Sequence, residues 1–114
     1  MLKNKNELTV TTEANSFGKT KMHLSHLKDF PGINQKLRMY AQVDLLPGES
    51  VEYHMHIDEC EIYYILSGKG LYNDNGQSVE VLPGAVTYTP SGEGHGIKNI
   101  GEETLSFMAL ILLD

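Results

Sequence analysis

The strongest constraint on the fold is the regular interruption of short apolar segments by turn residues. Beyond residue 35, β-branched, aromatic or alternating apolar and polar residues form short runs, and turn dipeptides separate them at Pro47-Gly48, Asn75-Gly76 and Pro83-Gly84. No segment of ten residues in this region has a convincing helical period. Many short strands at spacings of about 8–12 residues are typical of all-β sandwiches and barrels. The sequence therefore predicts an all-β fold, for which a double-sheet jelly roll is one arrangement that protects the strand edges.

The predicted strands follow one another with few residues between them. In chain order they are Leu37–Leu46, Val51–Ile57, Glu61–Leu66, Gly70–Tyr72, Gln77–Leu82, Val86–Thr89, His95–Asn99 and Thr104–Leu112. Residues 1–35 are predicted to be a largely irregular N-terminal arm, with one short strand at Met22–Leu27 and a turn at Phe30-Pro31-Gly32. A chain of 114 residues suits one hydrophobic core. We therefore expect an arm, residues 1–35, and one barrel domain, residues 36–114.

Charge and hydropathy exclude several classes of function. The formal charge is −6, and the nine Lys and Arg residues form no basic cluster, so nucleic acid is not expected as a partner. No apolar run approaches the roughly 18 residues of a membrane span, and no membrane association is expected. The first ten residues lack the apolar region of a secretory signal, and Cys60 is the only cysteine. These features predict a cytoplasmic protein without disulfides.

Three histidines and one glutamate are candidates for a metal site. His54 and His56 are two residues apart, so their side chains share one face of an extended strand, although such a pair alone also suits a polar strand face. Glu61 follows after an interruption of the strand pattern at Asp58–Cys60 and can add an oxygen ligand from a neighbouring strand. His95 follows a glycine-flanked turn and opens another predicted strand. We exclude His23 and His26, because a spacing of three suits neither one strand face nor this setting.

The residues around these candidates resemble the two sequence motifs of the cupin superfamily. In the first motif, five residues separate Gly48 from His54-Met55-His56, four more precede Glu61, and six precede Gly68. In the second, five residues separate Gly84 from Pro90-Ser91-Gly92, two precede His95, and three precede Asn99. The fifteen residues between Gly68 and Gly84 are similar to the short spacer of small microbial cupins.

The resemblance implies a double-stranded β-helix, or jelly-roll barrel, holding one divalent transition-metal ion through His54, His56, Glu61 and His95. The ligand set suits Fe, Mn, Ni, Co, Cu or Zn. The glycines of the two motifs are interpreted as turn residues, and Asn99 as a structural residue that bonds its own turn. Cys60 should point away from the metal, because it alternates with Glu61.

The surroundings of the metal predict a small-molecule site. Tyr63 is the candidate catalytic residue, and four apolar residues that share the inward phase form the predicted substrate pocket: Ile65, Phe107, Ala109 and Ile111. Ordinary barrel core is the alternative for these four residues. Two functions remain open: a metal-dependent enzyme acting on a small oxygenated or anionic molecule, by dioxygenase, decarboxylase, isomerase or lyase chemistry, and a non-catalytic ligand-binding or sensor module. Because all four predicted ligand residues are present, the metal-dependent enzyme is favoured over the binding module.

Self-association is the last expectation from the sequence. A small barrel leaves strand edges and apolar surface that a second copy can cover, so a homodimer is expected. The arm strand Met22–Leu27 is the segment that we expect to pair with the partner's sheet.

Overall fold

Two antiparallel sheets make up the fold. The structure is a computed structural model that describes residues 2–15, 18–24 and 32–114, excluding the side chains of residues 9, 11–24 and 34. The strands are β1 (Thr9–Asn15), β2 (Gly18–Leu24), β3 (Leu37–Leu45), β4 (Ser50–Met55), β5 (Glu59–Ser67), β6 (Gly70–Asp74), β7 (Gln77–Val81), β8 (Val86–Thr89), β9 (Gly94–Asn99) and β10 (Leu105–Leu113). Within the described ranges, no helix is long and apolar enough to cross a membrane.

The two sheets face each other across the core. One has six strands in the order β1-β2-β3-β10-β5-β8, and the other has four in the order β4-β9-β6-β7. Strand β10 alternates regularly, with Leu105, Phe107, Ala109 and Ile111 buried and the residues between them partly exposed. Such alternation buries one face of each sheet against the other. The prediction of an all-β jelly-roll barrel is therefore confirmed.

The N-terminal region differs from the irregular arm that the sequence predicted. Strands β1 and β2 form an antiparallel hairpin, and β2 continues the six-stranded sheet by pairing with β3 of the same chain, from Lys21 opposite Asp44 to Leu24 opposite Ala41. The prediction was wrong for residues 9–15 and 18–21, because β2 adds to the hydrogen-bonding edge of β3 and the threonine-rich β1 then pairs with β2. The division into residues 1–35 and 36–114 stays a prediction.

The predicted strand Met22–Leu27 is only partly described. Residues 22–24 belong to β2, whereas residues 25–27 lie outside the described residues, as does most of the turn predicted at residues 30–32. Gly32 itself is described and has a positive φ of 79°. The proposed pairing of this segment with a partner's sheet stays a prediction.

Turn residues at the ends of the core strands hold the barrel's geometry. Gly68 has a φ of 87°, and a Cβ there would meet Leu105 Cα and Thr104 O at 2.7 Å, so no other residue fits. Asn99 Nδ2 donates to Leu45 O (2.9 Å) and Glu103 O (2.7 Å), while its Oδ1 accepts from the Gly101 N–H (2.9 Å). These bonds confirm the structural role predicted for Asn99.

Candidate metal centre

The predicted metal ligands converge from both sheets on one point inside the barrel. His54 on β4 and His95 on β9 are register partners in the four-stranded sheet, and Glu61 lies on β5 of the six-stranded sheet. Glu61 therefore reaches the site across the barrel, and not from the strand beside β4 as the sequence suggested. His56 lies one residue beyond β4, which ends at Met55 and not at Ile57.

The loop before His95 fixes the position of His56. The His56 N–H donates to Glu93 O (3.0 Å), and the Gly92 N–H donates to His56 O (2.7 Å). Ser91 Oγ accepts from the Asp58 N–H at 2.9 Å. Gly92 has a φ of 92°, in the left-handed region that favours glycine. The turn of the second motif therefore locks the ligand of the first motif in place.

The distances between ligand atoms fit one transition-metal ion. His56 Nε2 lies 3.0 Å from His54 Nε2 and 3.1 Å from His95 Nε2. Glu61 Oε1 lies 2.8 Å from His95 Nε2, 2.9 Å from His56 Nε2 and 3.7 Å from His54 Nε2. Two ligands at right angles, each about 2.1 Å from an ion, are about 3.0 Å apart. The four residues form the cluster suited to holding a metal ion.

Hydrogen bonds on the far side of each imidazole set which nitrogen faces the centre. His54 Nδ1 lies 2.7 Å from Glu52 O, and His56 Nδ1 lies 2.6 Å from Glu59 Oε2. His95 Nδ1 lies 2.8 Å from the Tyr72 hydroxyl, which contacts Thr89 Oγ1 at 3.0 Å. The Glu52 carbonyl and the Glu59 carboxylate can only accept, and the Tyr72 hydroxyl can accept from His95 when it donates to Thr89 Oγ1. With the proton on Nδ1, each Nε2 presents a lone pair to the centre. Three lone pairs and a carboxylate oxygen this close together repel one another unless a cation lies between them.

The electrostatics of the centre favour the same conclusion. Although burial opposes ionisation, the contacts with His54 and His95 lower the pKa of Glu61 from 4.5 to about 2. The nearby Glu61 carboxylate raises the pKa of His54, whereas burial lowers the pKa of His95 despite its contact with Glu61. The carboxylate is therefore ionised at neutral pH, and His95 favours the neutral form that binds a metal.

The site opens to solvent beside His54. The side chain of His54 is 37% exposed, whereas those of His56, Glu61 and His95 are exposed by at most 3%. Arg38 on β3 lies nearby: a hydrogen bond to Glu59 raises its pKa, and the Glu61 charge adds to the effect. A ligand can therefore approach beside His54, within reach of the Arg38 charge.

Tyr63, the predicted catalytic residue, is buried against the metal ligands. Its ring stacks on His95 with centroids 4.8 Å apart, and it packs against Phe107 at 4.4 Å and Tyr72 at 6.1 Å. Burial raises the pKa of Tyr63 well above its usual range, so the hydroxyl keeps its proton. The contact supports the position of His95, while a catalytic role stays a prediction.

The four predicted pocket residues lie in the packed interior. Ile65, Phe107 and Ala109 belong to the hydrophobic core, and Ile111 is buried beside it. Their inward orientation agrees with the alternation in the sequence, and their role in substrate contact stays a prediction. A cavity of about 240 Å³ lies elsewhere, on the four-stranded sheet, with Tyr53, Leu71 and Lys98 among its lining residues.

The residues that hydrogen-bond to the ligand imidazoles were not predicted from the sequence. Tyr72 and Glu59 orient His95 and His56, and Arg38 holds Glu59 through two bonds, Nε to Oε1 at 2.9 Å and Nη2 to Oε2 at 2.7 Å. Glu59 could have been found, because it shares the period-two face of Glu61.

Cys60 is partly buried and absent from the cluster, as expected, whereas the side chains of His23 and His26 lie outside the described residues.

Comparison with known proteins agrees with the fold and the site. The chain is 44% identical over 96 residues to the oxalate-binding protein of Thermotoga maritima, covering 84% of this chain and 79% of that protein. A crystal structure of a predicted oxalate decarboxylase from Thermotoga maritima matches with a TM-score of 0.89, at 38% identity and over 100% of both chains. Glucose-6-phosphate isomerase of Thermococcus litoralis is 36% identical over 67 residues, 54% of this chain but 35% of the isomerase.

The family assignment follows from the sequence match as well as from the geometry. The family model for the cupin domain matches residues 41–111, which include all four converging ligands. The protein belongs to the cupin family.

Proposed function

We propose that the protein holds one divalent transition-metal ion through His54, His56, Glu61 and His95 and uses it to bind a small dicarboxylate of the size of oxalate. The observation that carries this proposal is the convergence of three Nε2 lone pairs and Glu61 Oε1 within 4.8 Å of one another. When bound, a divalent ion supplies positive charge and open coordination positions for oxygen ligands.

The charge of the site supports an anionic ligand. Three neutral imidazoles and one carboxylate around a divalent ion leave a net charge of about +1. The Arg38 guanidinium, which is paired with Glu59, lies close enough to the partly exposed His54 for its charge to act on that imidazole, and the same charge favours an approaching anion. Because Ile65, Phe107 and Ala109 fill the barrel interior, the space beside the ligands suits a small molecule. The name of the Thermotoga oxalate-binding protein, at 44% identity, supports oxalate as the first candidate.

The second candidate function is turnover of the bound ligand, by which the protein is a metal-dependent enzyme. Tyr63 is the candidate residue for it, because its buried hydroxyl interacts with Glu61 and keeps its proton, so that it can donate a hydrogen bond within the site. The similarity to a structure described as a predicted oxalate decarboxylase also supports it. In this proposal the Tyr63 hydroxyl donates a hydrogen bond to the bound ligand, while His54, His56, Glu61 and His95 keep their place as metal ligands.

Calorimetric titration of protein loaded separately with Mn, Fe, Co, Ni, Cu or Zn tests the proposal. We expect oxalate to bind at least one loaded form with one site per chain, and acetate, which has a single carboxylate, to bind at least tenfold more weakly. Metal-free protein and the His95→Ala variant should not bind oxalate. Absence of oxalate and malonate binding to every loaded form would overturn the dicarboxylate proposal.

Turnover is measured on the same samples. Release of carbon dioxide or formate from oxalate, abolished in Tyr63→Phe but with metal content unchanged, would establish the enzyme. Tight oxalate binding without loss of oxalate over hours would assign the protein to the binding class instead.

A further inference from the structure

Strand β4 contains an extra residue directly before the metal ligand His54. His54 lies opposite His95 on β9. Three residues earlier on β4, Val51 lies opposite Ile97. On β9 only Gly96 separates the two partner residues, whereas on β4 two residues separate Val51 from His54, so the register shifts between the two pairs. Two residues of one strand opposite one residue of the other form a β-bulge.

The bulge determines which face of the sheet carries His54. In a regular strand, residues three apart such as Val51 and His54 point to opposite faces. Val51 packs against the hydrophobic core, so without the bulge His54 would point out of the barrel. With the bulge, His54 Nε2 lies inside the barrel, 3.0 Å from His56 Nε2. The bulge also supplies the Glu52 carbonyl, which lies 2.7 Å from His54 Nδ1.

Gly96 provides the space that the bulge occupies. Gly96 is buried in β9, and a Cβ at this position would meet three backbone atoms of β4: Tyr53 N at 2.9 Å, Val51 O at 3.0 Å and Tyr53 Cα at 3.1 Å. Backbone atoms between paired residues cannot rotate away as the end of a side chain can. A glycine inside a strand often marks such a close approach of a second backbone. Any side chain at position 96 therefore displaces the segment of β4 that leads into His54.

We infer that Gly96 is a positioning residue of the metal centre, because it leaves room for the bulge that turns His54 into the barrel and places the Glu52 carbonyl at its Nδ1. The inference rests on the metal site proposed above. A side chain at position 96 should remove one ligand and leave the other three. These three are held independently, by the six-stranded sheet, by the pairing of β9 with β6, and by the turn of the second motif.

Competition titrations of Co-loaded protein against a chelator test the inference. Gly96→Ala should weaken metal binding by about tenfold or more, as expected when the support of a ligand is lost. The matched control is Gly101→Ala, which should change the affinity less than twofold. A Cβ at Gly101 would meet Lys69 Cβ, the nearest atom among the described residues, at an ordinary contact distance of 3.4 Å.

The same substitution in a His54→Ala background distinguishes positioning from a general effect on the fold. If Gly96 acts through His54, adding Gly96→Ala to His54→Ala should weaken metal binding less than twofold further, because the ligand is already gone. A general disturbance of the barrel would persist in that background. An equal loss of affinity in both backgrounds, or an unchanged affinity in Gly96→Ala alone, would overturn the inference.

A compensating deletion keeps the test valid if Gly96→Ala does not fold. Removing Tyr53 from Gly96→Ala leaves one residue between Val51 and His54, so β4 can pair regularly with β9 and an alanine fits opposite it. We expect this variant to fold and to bind one Co ion per chain. Absence of binding would overturn the inference. Failure of the unmodified protein to bind Co would instead refute the metal site on which the inference rests.

Discussion

Replacing Glu59 by glutamine should weaken metal binding even though Glu59 is not a ligand. Its Oε2 lies 2.6 Å from His56 Nδ1, and its side chain is only 12% exposed. A hydrogen bond from Arg38 lowers the pKa of Glu59, so the group that accepts the imidazole proton is a carboxylate at neutral pH. The negative charge makes His56 a stronger electron donor through its Nε2. Glutamine keeps the size and an oxygen acceptor but removes the charge.

The magnitude follows from the kind of hydrogen bond that is lost. A bond to a charged group contributes about 1.5–3 kcal/mol, and a neutral bond contributes about 0.5–1.5 kcal/mol. The difference, about 1–1.5 kcal/mol, corresponds to roughly tenfold weaker metal binding. The loss of the Arg38 contact adds little, because Arg38 is 57% exposed and such surface pairs contribute at most about 1 kcal/mol.

Competition titrations against a chelator at fixed pH measure the effect. The matched control is Glu80→Gln, the same chemical change in an exposed pair with Lys69, where the two charged atoms are 3.2 Å apart. The control removes the same charge from the chain and should change the metal dissociation constant less than twofold. A Glu59→Gln variant that binds metal as tightly as the control would refute the role assigned to Glu59.

Three further predictions concern pH, Tyr63 and Asn99. Metal affinity should fall as pH falls from 8 to 5, because protons compete with the metal for His54, and the raised pKa of His54 means that protonation begins above the usual 6.5. Chelator titrations across this pH range measure the affinity, and an affinity that does not change with pH would contradict the prediction. Tyr63→Phe should lower the free energy of unfolding by about 1 kcal/mol and keep the metal, since the ring contacts with His95 and Phe107 remain; urea unfolding and metal analysis measure both. Asn99→Ala should cost about 2–4 kcal/mol in urea unfolding, because it removes three hydrogen bonds, one of them to the carbonyl of the buried Leu45; a cost below 1 kcal/mol would contradict this.

Turn residues and alternation were sufficient to predict most of the barrel. Pro83-Gly84 and Asn75-Gly76 mark real strand ends, and β8 has the bounds predicted for it, Val86–Thr89. The hairpin of β1 and β2 was missed, because what stabilises β2 is the exposed edge of β3, a tertiary feature that no local pattern in residues 9–24 reveals.

The ligands were predictable because their spacing reflects strand geometry, whereas their supporting residues depend on contacts between strands. Tyr72 reaches His95 from the adjacent strand β6, and this contact requires the register of β6 against β9. Alternation correctly predicted that Ile65 and Phe107 face inward. It does not determine whether the space they face is open or filled, because that depends on the volumes of all the side chains between the sheets.

Metal content is the most direct test of the central claim. Elemental analysis of purified protein should give about one transition-metal ion per chain, and the His54→Ala, His56→Ala double variant should lose it, because two of four ligands are removed. The matched control removes two other histidines, His23→Ala with His26→Ala, and should retain the ion. A double variant at His54 and His56 that folds and still carries one ion per chain would contradict the assignment of the metal centre.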